Sequence, residues 1–309
     1  VLPEADQPLV QAALLLLLVV FGLKAAMLPL LFWLPRAYAS ASAPVAALFA
    51  IMTKLGVYAI IRVHMLILGI DADGGLAQTV WNWLWPLALG TMAFGALGVL
   101  AARSLRGMAA YLVILSAGTL LVTVALNTPV ALAAGLFYLV HSTWMGAAMF
   151  LLADLLAEQR GRLADRLEPA ATRAAGSLAT VFLILAVAIV GLPPLSGFLS
   201  KMLILQSAIA TPQAAMVWVA ILLAALLLLV SFARAGSTLF WNRSGDAATP
   251  TAAPERGGLL IVAALVALTL LVSVIAGPLM RYAEAAAVQI FDASAYVDAV
   301  LGDASGVMP

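Results

Sequence analysis

The chain contains no cysteine in its 309 residues, so neither a disulfide framework nor a thiolate metal site can form. Its two histidines, His64 and His141, have no metal-ligand spacing between them, and no metal is expected. Charge is scarce: Asp, Glu, Lys and Arg make up 9% of the residues, against about 25% in a soluble domain. The net charge of +1 gives no basis for a nucleic-acid partner. No glycine pattern follows a predicted strand, and no quinone or flavin signature stands out, so no cofactor is expected. The opening "VLPEADQPL" has no basic n-region and does not read as a signal peptide. It begins with acids, lacks an initiator Met and reads as a loop, so the chain is expected to be the later part of a longer protein.

What is abundant is apolar sequence. Hydrophobic residues make up 65% of the chain. Runs of about 20 residues recur along its length, the pattern of a polytopic membrane protein. Lipid cannot satisfy backbone polar groups, which leaves helices or a closed barrel, and continuous rather than alternating runs select helices. The fold class is therefore an all-α membrane bundle of about eight helices, with segments near 9–31, 43–68, 77–102, 107–126, 130–157, 174–209, 213–241 and 257–291. The polar connections 158–173 and 242–256 are too short for a second domain.

Arginines collect on alternate connections. One side holds Arg36, Arg103, Arg106, Arg160, Arg162, Arg166, Arg173, Arg243 and Arg256. The other holds Glu4, Asp6, Asp71, Asp73, Asp292, Asp298 and Asp303. The positive-inside rule assigns the arginine side to the cytoplasm and both ends of the chain to the exterior. Arg62, Arg234 and Arg281 are exceptions near segment ends, where a long side chain snorkels. Trp81, Trp83 and Trp85 read as an interfacial belt.

The three lysines, Lys24, Lys54 and Lys201, all lie inside apolar segments, and the twelve other basic residues are arginine. Each intramembrane charge costs about 2.5–3.5 kcal/mol on insertion scales, so three cost about 8–10 kcal/mol, comparable to the stability of a whole domain. One such lysine is readily explained by a static pair or by snorkelling. Reserving every lysine for the core points instead to protons that move, because arginine is effectively always protonated and lysine is not. His141, within "GLFYLVHSTWMGAAMF", is a further candidate relay group. Ser116, Thr119, Tyr111, Tyr138, Ser142 and Thr143 could bridge charged sites or simply bond helix to helix. Asp154 reads as an entrance acid or a capping residue, and His64, near a segment end, as structural.

Prolines interrupt two segments. Pro29 removes the donor for the carbonyl of Ala25, next to Lys24, and Pro193 and Pro194 do the same for Ile189 and Val190. The freed carbonyls need water or side-chain partners, so a hydrated cavity bordered by Lys201 is expected. Broken helices in different parts of a bundle point to an ion path between structural repeats.

These stretches resemble a known family. "FGLKAAMLPLLFWLP", "SAPVAALFAIMTKLGVYAIIRV", "LFYLVHSTWMGAAMFLLADLL" and "GLPPLSGFLSKMLIL" are similar to the antiporter-like membrane subunits shared by respiratory complex I and Mrp-type Na+/H+ antiporters, most of all to the Mrp (Mnh/Pha) branch. The resemblance implies fourteen helices in two inverted five-helix repeats, with this chain holding roughly the seventh to the fourteenth. It implies that residues 1–76 end the first repeat, 77–241 form the second, and 242–309 hold a cytoplasmic loop, the last membrane helix and an external tail. It places Lys24, Lys54, His141 and Lys201 on helices seven, eight, eleven and twelve of the family.

The family pairs its seventh-helix lysine with a fifth-helix glutamate, for which this chain has no position. It also often carries a lysine shortly after the eleventh-helix histidine, which "HSTWMGAAMF" lacks. The function so implied is proton conduction within a hetero-oligomeric monovalent cation (Na+)/H+ antiporter of a bacterial inner membrane, without enzymatic activity. Its partners would be other subunits, protons, a monovalent cation and lipid. The alternative is a proton-pumping subunit of complex I or of a membrane-bound hydrogenase.

Overall fold

The computed structural model describes residues 7–67, 76–169, 175–241 and 256–292. Glu4, Asp6, Asp71, Asp73, Arg173, Arg243, Asp298 and Asp303 lie outside these residues, as do most of the connections at 69–76 and 242–256. Among the described residues the regular structure is helical, apart from one isolated antiparallel bridge between Ser104 and Arg166.

Eleven α-helices are described: α1 (Gln7–Ala25), α2 (Trp33–Ser40), α3 (Ala43–Ile60), α4 (Leu76–Ala101), α5 (Leu105–Ala125), α6 (Pro129–Arg160), α7 (Ala175–Val190), α8 (Ser196–Ala208), α9 (Ala214–Gly236), α10 (Arg256–Val274) and α11 (Ala276–Phe291). Seven helical stretches are long and apolar enough to span a membrane, and Gly176–Val190 is a shorter apolar helix. α3 runs on into a π-helical turn (Ile61–Ile67), and α9 into another (Ser237–Trp241).

The expected segments recur, with both expected proline breaks in place and two differences. The first does not end near residue 31. It stops at Ala25, turns, and resumes as α2, so Arg36 lies in a helix rather than in a loop. Pro35 is tolerated there because it sits in the first turn of α2, where its missing N–H has no helical partner to lose. The sixth segment divides into α7 and α8 at Pro193 and Pro194, as expected. The eighth, read as one run, divides at Ile275, because Pro278 cannot donate to the carbonyl of Val274.

α5 is the innermost helix, with every residue from Leu112 to Val124 buried. Its start is capped by Ser104, whose Oγ accepts from Gly107 N at 3.1 Å. α4 packs closely along it: a Cβ on Gly118 would lie 2.4 Å from the Met92 backbone nitrogen. Small residues that let backbones approach are how membrane helices gain dispersion energy where lipid is as apolar as leucine. α6 starts at Pro129 under a Thr128 cap and packs against α3, α5, α7, α8, α10 and α11. It is the strut on which the remaining helices are placed.

One end of the bundle gathers the arginines of the described connections. Arg160, fully buried, donates to the backbone carbonyls of Ala164, Arg166 and Glu168. Asp165 Oδ2 accepts from Arg106 N at 2.8 Å, and the Arg106 guanidinium pairs with Asp154. Arg234 donates to the carbonyls of Leu100 and Ala102 at the end of α4, where a cation also meets the negative end of the helix dipole.

Candidate functional site

The α7–α8 break is built by its prolines and glycines. Gly191 N and Leu192 N both donate to Val187 O, at 3.1 and 3.0 Å, so the Leu192 donor is drawn away from Ala188 O. Pro193 and Pro194 have no N–H to offer Ile189 O and Val190 O. Three consecutive carbonyls at the end of α7 therefore lack helical donors. Gly191 adopts φ +85°, a conformation strained for any residue with a Cβ, and its bare Cα leaves room for the Lys201 stem.

Ionisable side chains fill the gap. Lys201 Nζ donates to Ile189 O at 3.1 Å and to Val190 O. The ring of His141, on α6, reaches the Ala188 carbonyl, and its Nδ1 lies 2.9 Å from Ser196 Oγ. A neutral imidazole satisfies both contacts when Nε2–H donates to Ala188 O and Nδ1 accepts from the Ser196 hydroxyl. Gly197 allows the approach, since a Cβ there would stand 1.9 Å from Ala188 O and 2.9 Å from His141 Nε2.

Lys54, on α3, is 3% exposed, and its Nζ bonds to Ser116 Oγ on α5 at 2.7 Å. Ser116 in turn donates to Val113 O. A cavity opens on the far side of Ser116. It is lined in part by Ser116, Thr119, Tyr138, His141, Ile189 and Lys201, with about 40 Å³ open to the centres of water molecules. A water needs roughly 10–15 Å³ by that measure and two or more polar partners, so the space suits about three. The structure thus brings Lys54, His141 and Lys201 to one cavity: two at its wall, and Lys54 through its hydroxyl partner.

Lys24 is placed elsewhere. It is exposed on the outer face of α1 in a shallow groove with Val20, Leu23 and Trp33, and has no ion-pair partner among the described residues. The turn after it is held by other groups: Leu28 N donates to Thr91 Oγ1 at 2.8 Å, and Trp33 Nε1 to Leu23 O at 3.2 Å. Pro29 lies exposed within this turn.

Sequence reasoning missed Ser196, although a serine two residues after a diproline, at the start of a helix, is a recognisable signal. His64, read as structural, is fully buried, with Nε2 3.1 Å from Leu14 O on α1 and Nδ1 3.3 Å from Ile60 O.

The family described as NADH:quinone oxidoreductase/Mrp antiporter, transmembrane, matches residues 4–228. A probable D-type K+/H+ antiporter subunit of Rhizobium meliloti (strain 1021) is 35% identical over 93% of this chain and 58% of its own length. The D-type Na+/H+ antiporter subunit of Bacillus subtilis (strain 168) is 33% identical over 93% of this chain and 57% of its own. Among solved structures, a chain of the Mrp complex from Dietzia sp. DQ12-45-1b superposes with a TM-score of 0.77 at 26% identity, covering 94% of this chain and 61% of that one. A chain of respiratory complex I from Thermus thermophilus gives a TM-score of 0.71 at 27% identity, covering 94% of this chain and 60% of that one. This chain therefore spans more than half, but less than two thirds, of the length of those relatives, and it belongs to the NADH:quinone oxidoreductase/Mrp antiporter transmembrane family.

Proposed function

We propose that this chain conducts protons within a multi-subunit monovalent cation/H+ antiporter, as a transporter subunit and not an enzyme. The observation that carries the reading is the shared cavity: Lys201 and His141 line it, and Ser116 joins Lys54 to it. A proton leaving Lys54 passes through the Ser116 hydroxyl and internal water to His141 and Lys201. Lys24 stands upstream, on the exposed face of α1, where a carboxylate from outside these residues would meet it. In this reading residues 1–76 close a first repeat, 77–241 form a second, and 242–309 hold a connecting loop, the last membrane helix and a tail. The arginine end faces the cytoplasm of a bacterial plasma membrane, and both ends of the chain face outward.

The energies are compatible with such a role. A membrane potential supplies about 2.3 kcal/mol per charge per 100 mV, and one unit of pKa change is worth about 1.4 kcal/mol. A lysine alternating between two partner sets can exchange energy with a gradient of that size.

The likeness to the complex I chain favours a second reading, a proton-pumping subunit driven by a redox partner. Both readings use the same residues, and cation dependence separates them. Lys54→Ala or Lys201→Ala in the assembled complex is expected to abolish cation-dependent proton movement in inside-out vesicles, with complex recovery unchanged. Normal cation-dependent transport by both variants would overturn the relay.

A further inference from the structure

The relay accounts for Lys201 but not for the oxygens it touches. Ala188, Ile189 and Val190 present three neutral carbonyls at the C-terminal end of α7, where the helix dipole concentrates roughly half a negative charge. Lys201 Nζ spans the Ile189 and Val190 carbonyls, and the Ala188 carbonyl lies against His141 beside Gly197. Unwound carbonyls at a half-helix C-terminus, next to a space that can hold water, have the chemistry that replaces the hydration shell of an alkali cation. No group of three or more His, Asp or Glu converges anywhere among the described residues, and divalent sites require carboxylates. A ligand set of neutral oxygens suits a single positive charge.

We propose that the Ile189 and Val190 carbonyls, with Ala188 O beside them, form a monovalent-cation site that the Lys201 ammonium occupies in this conformation. The cation enters by displacing the ammonium into the adjoining cavity. That cavity already borders the Lys201 side chain and offers Tyr138, Ser142 and Ser116 hydroxyls, together with water, to receive it. Gly191 permits the movement, because it leaves the lysine stem lying over backbone with no Cβ beneath it. Ammonium and cation then exclude one another at one set of oxygens, which couples their movements without a second gate. This use of the site rests on the antiport reading; the site itself rests on the carbonyl geometry.

The test is binding rather than transport, so its outcome and that of the vesicle assay are separable. Thermal unfolding of the purified complex is followed as NaCl or KCl replaces choline chloride at constant ionic strength. Wild type, Lys201→Met and Lys201→Gln are compared, the glutamine variant keeping one amide donor for the carbonyls should the methionine variant fold poorly. Na+ or K+, unlike choline, should stabilise the variants, with a midpoint at least tenfold lower than in wild type, where the ammonium competes. A response that does not distinguish alkali cation from choline, or midpoints equal in wild type and variants, would overturn the proposal.

Discussion

The two proline breaks share their ingredients and differ in where the lysine goes. In the first, α1 stops at Ala25 and the side chain just before the turn, Lys24, points to the exterior, while Thr91 and Trp33 hold the turn itself. In the second, Lys201 stands past the turn on α8 and folds back onto the carbonyls that the prolines freed. A helix-breaking proline thus defines which oxygens are orphaned, but the lysine's position relative to the break decides whether it can reach them. A lysine after the break lies one to two turns into the next half-helix, facing back towards the end of the last. A lysine before it sits on the wall of its own helix and depends on whatever packs outside.

That contrast can be broken by substitution. The largest effect is expected for Gly197→Ala. Its Cβ would meet Ala188 O at 1.9 Å, a backbone atom that cannot step aside, and overpacking of this kind costs about 1–3 kcal/mol or more. Gly22→Ala, at the first break, would meet only the mobile Cε of Met27 at 2.6 Å and gains helix propensity, so little net change is expected. Denaturation midpoints and yields of assembled complex compare the two.

Comparable in size is Lys201→Met measured in choline, which leaves two carbonyls without a protein donor at a cost of about 1–3 kcal/mol for each that water does not reach. Lys24→Met removes no donor from a freed carbonyl of its own break, so the smaller of the two losses is expected there. Equal losses at the two sites would remove the distinction between the breaks. Ser196→Ala takes one hydrogen-bond partner from His141 and is expected to cost about 1 kcal/mol. Ser196→Thr, which keeps the hydroxyl, should recover part of it. The smallest effect is expected for Asp154→Asn: its pair with Arg106 is partly exposed at the arginine end, where such pairs contribute about 0–1 kcal/mol.

Much of this was legible in the residues, for stated reasons. A proline at one position always orphans the carbonyl four residues earlier, so Pro193 and Pro194 pointed to Ile189 and Val190 before any fold was known. The apolar run around Lys54 marked an intramembrane charge, but its partner Ser116 lies 62 residues away on another helix, and only packing joins them. The exposure of Lys24 was not legible. In a membrane bundle the lipid-facing and protein-facing sides of a helix are equally apolar, so the pattern that orients a soluble helix carries no signal here. The division at Ile275 was hidden by the even hydropathy of the run, although Pro278 marked it. His64 was legible as structural but its partner was not, because a segment end in sequence is not an end in space: α3 continues through a π-helical turn and carries the ring back against α1.

The central claim is that Lys54 and Lys201 exchange protons across the shared cavity rather than sit there as fixed charges. It is tested most directly by replacing each with arginine, which keeps the charge and the donors but does not release its proton. Cation-driven proton movement in inside-out vesicles is measured beside recovery of the assembled complex. The account predicts that Lys54→Arg and Lys201→Arg assemble and fail to transport, as the alanine variants do. Transport at wild-type rates by the arginine variants, with alanine instead preventing assembly, would show that the lysines are structural charges and contradict the account.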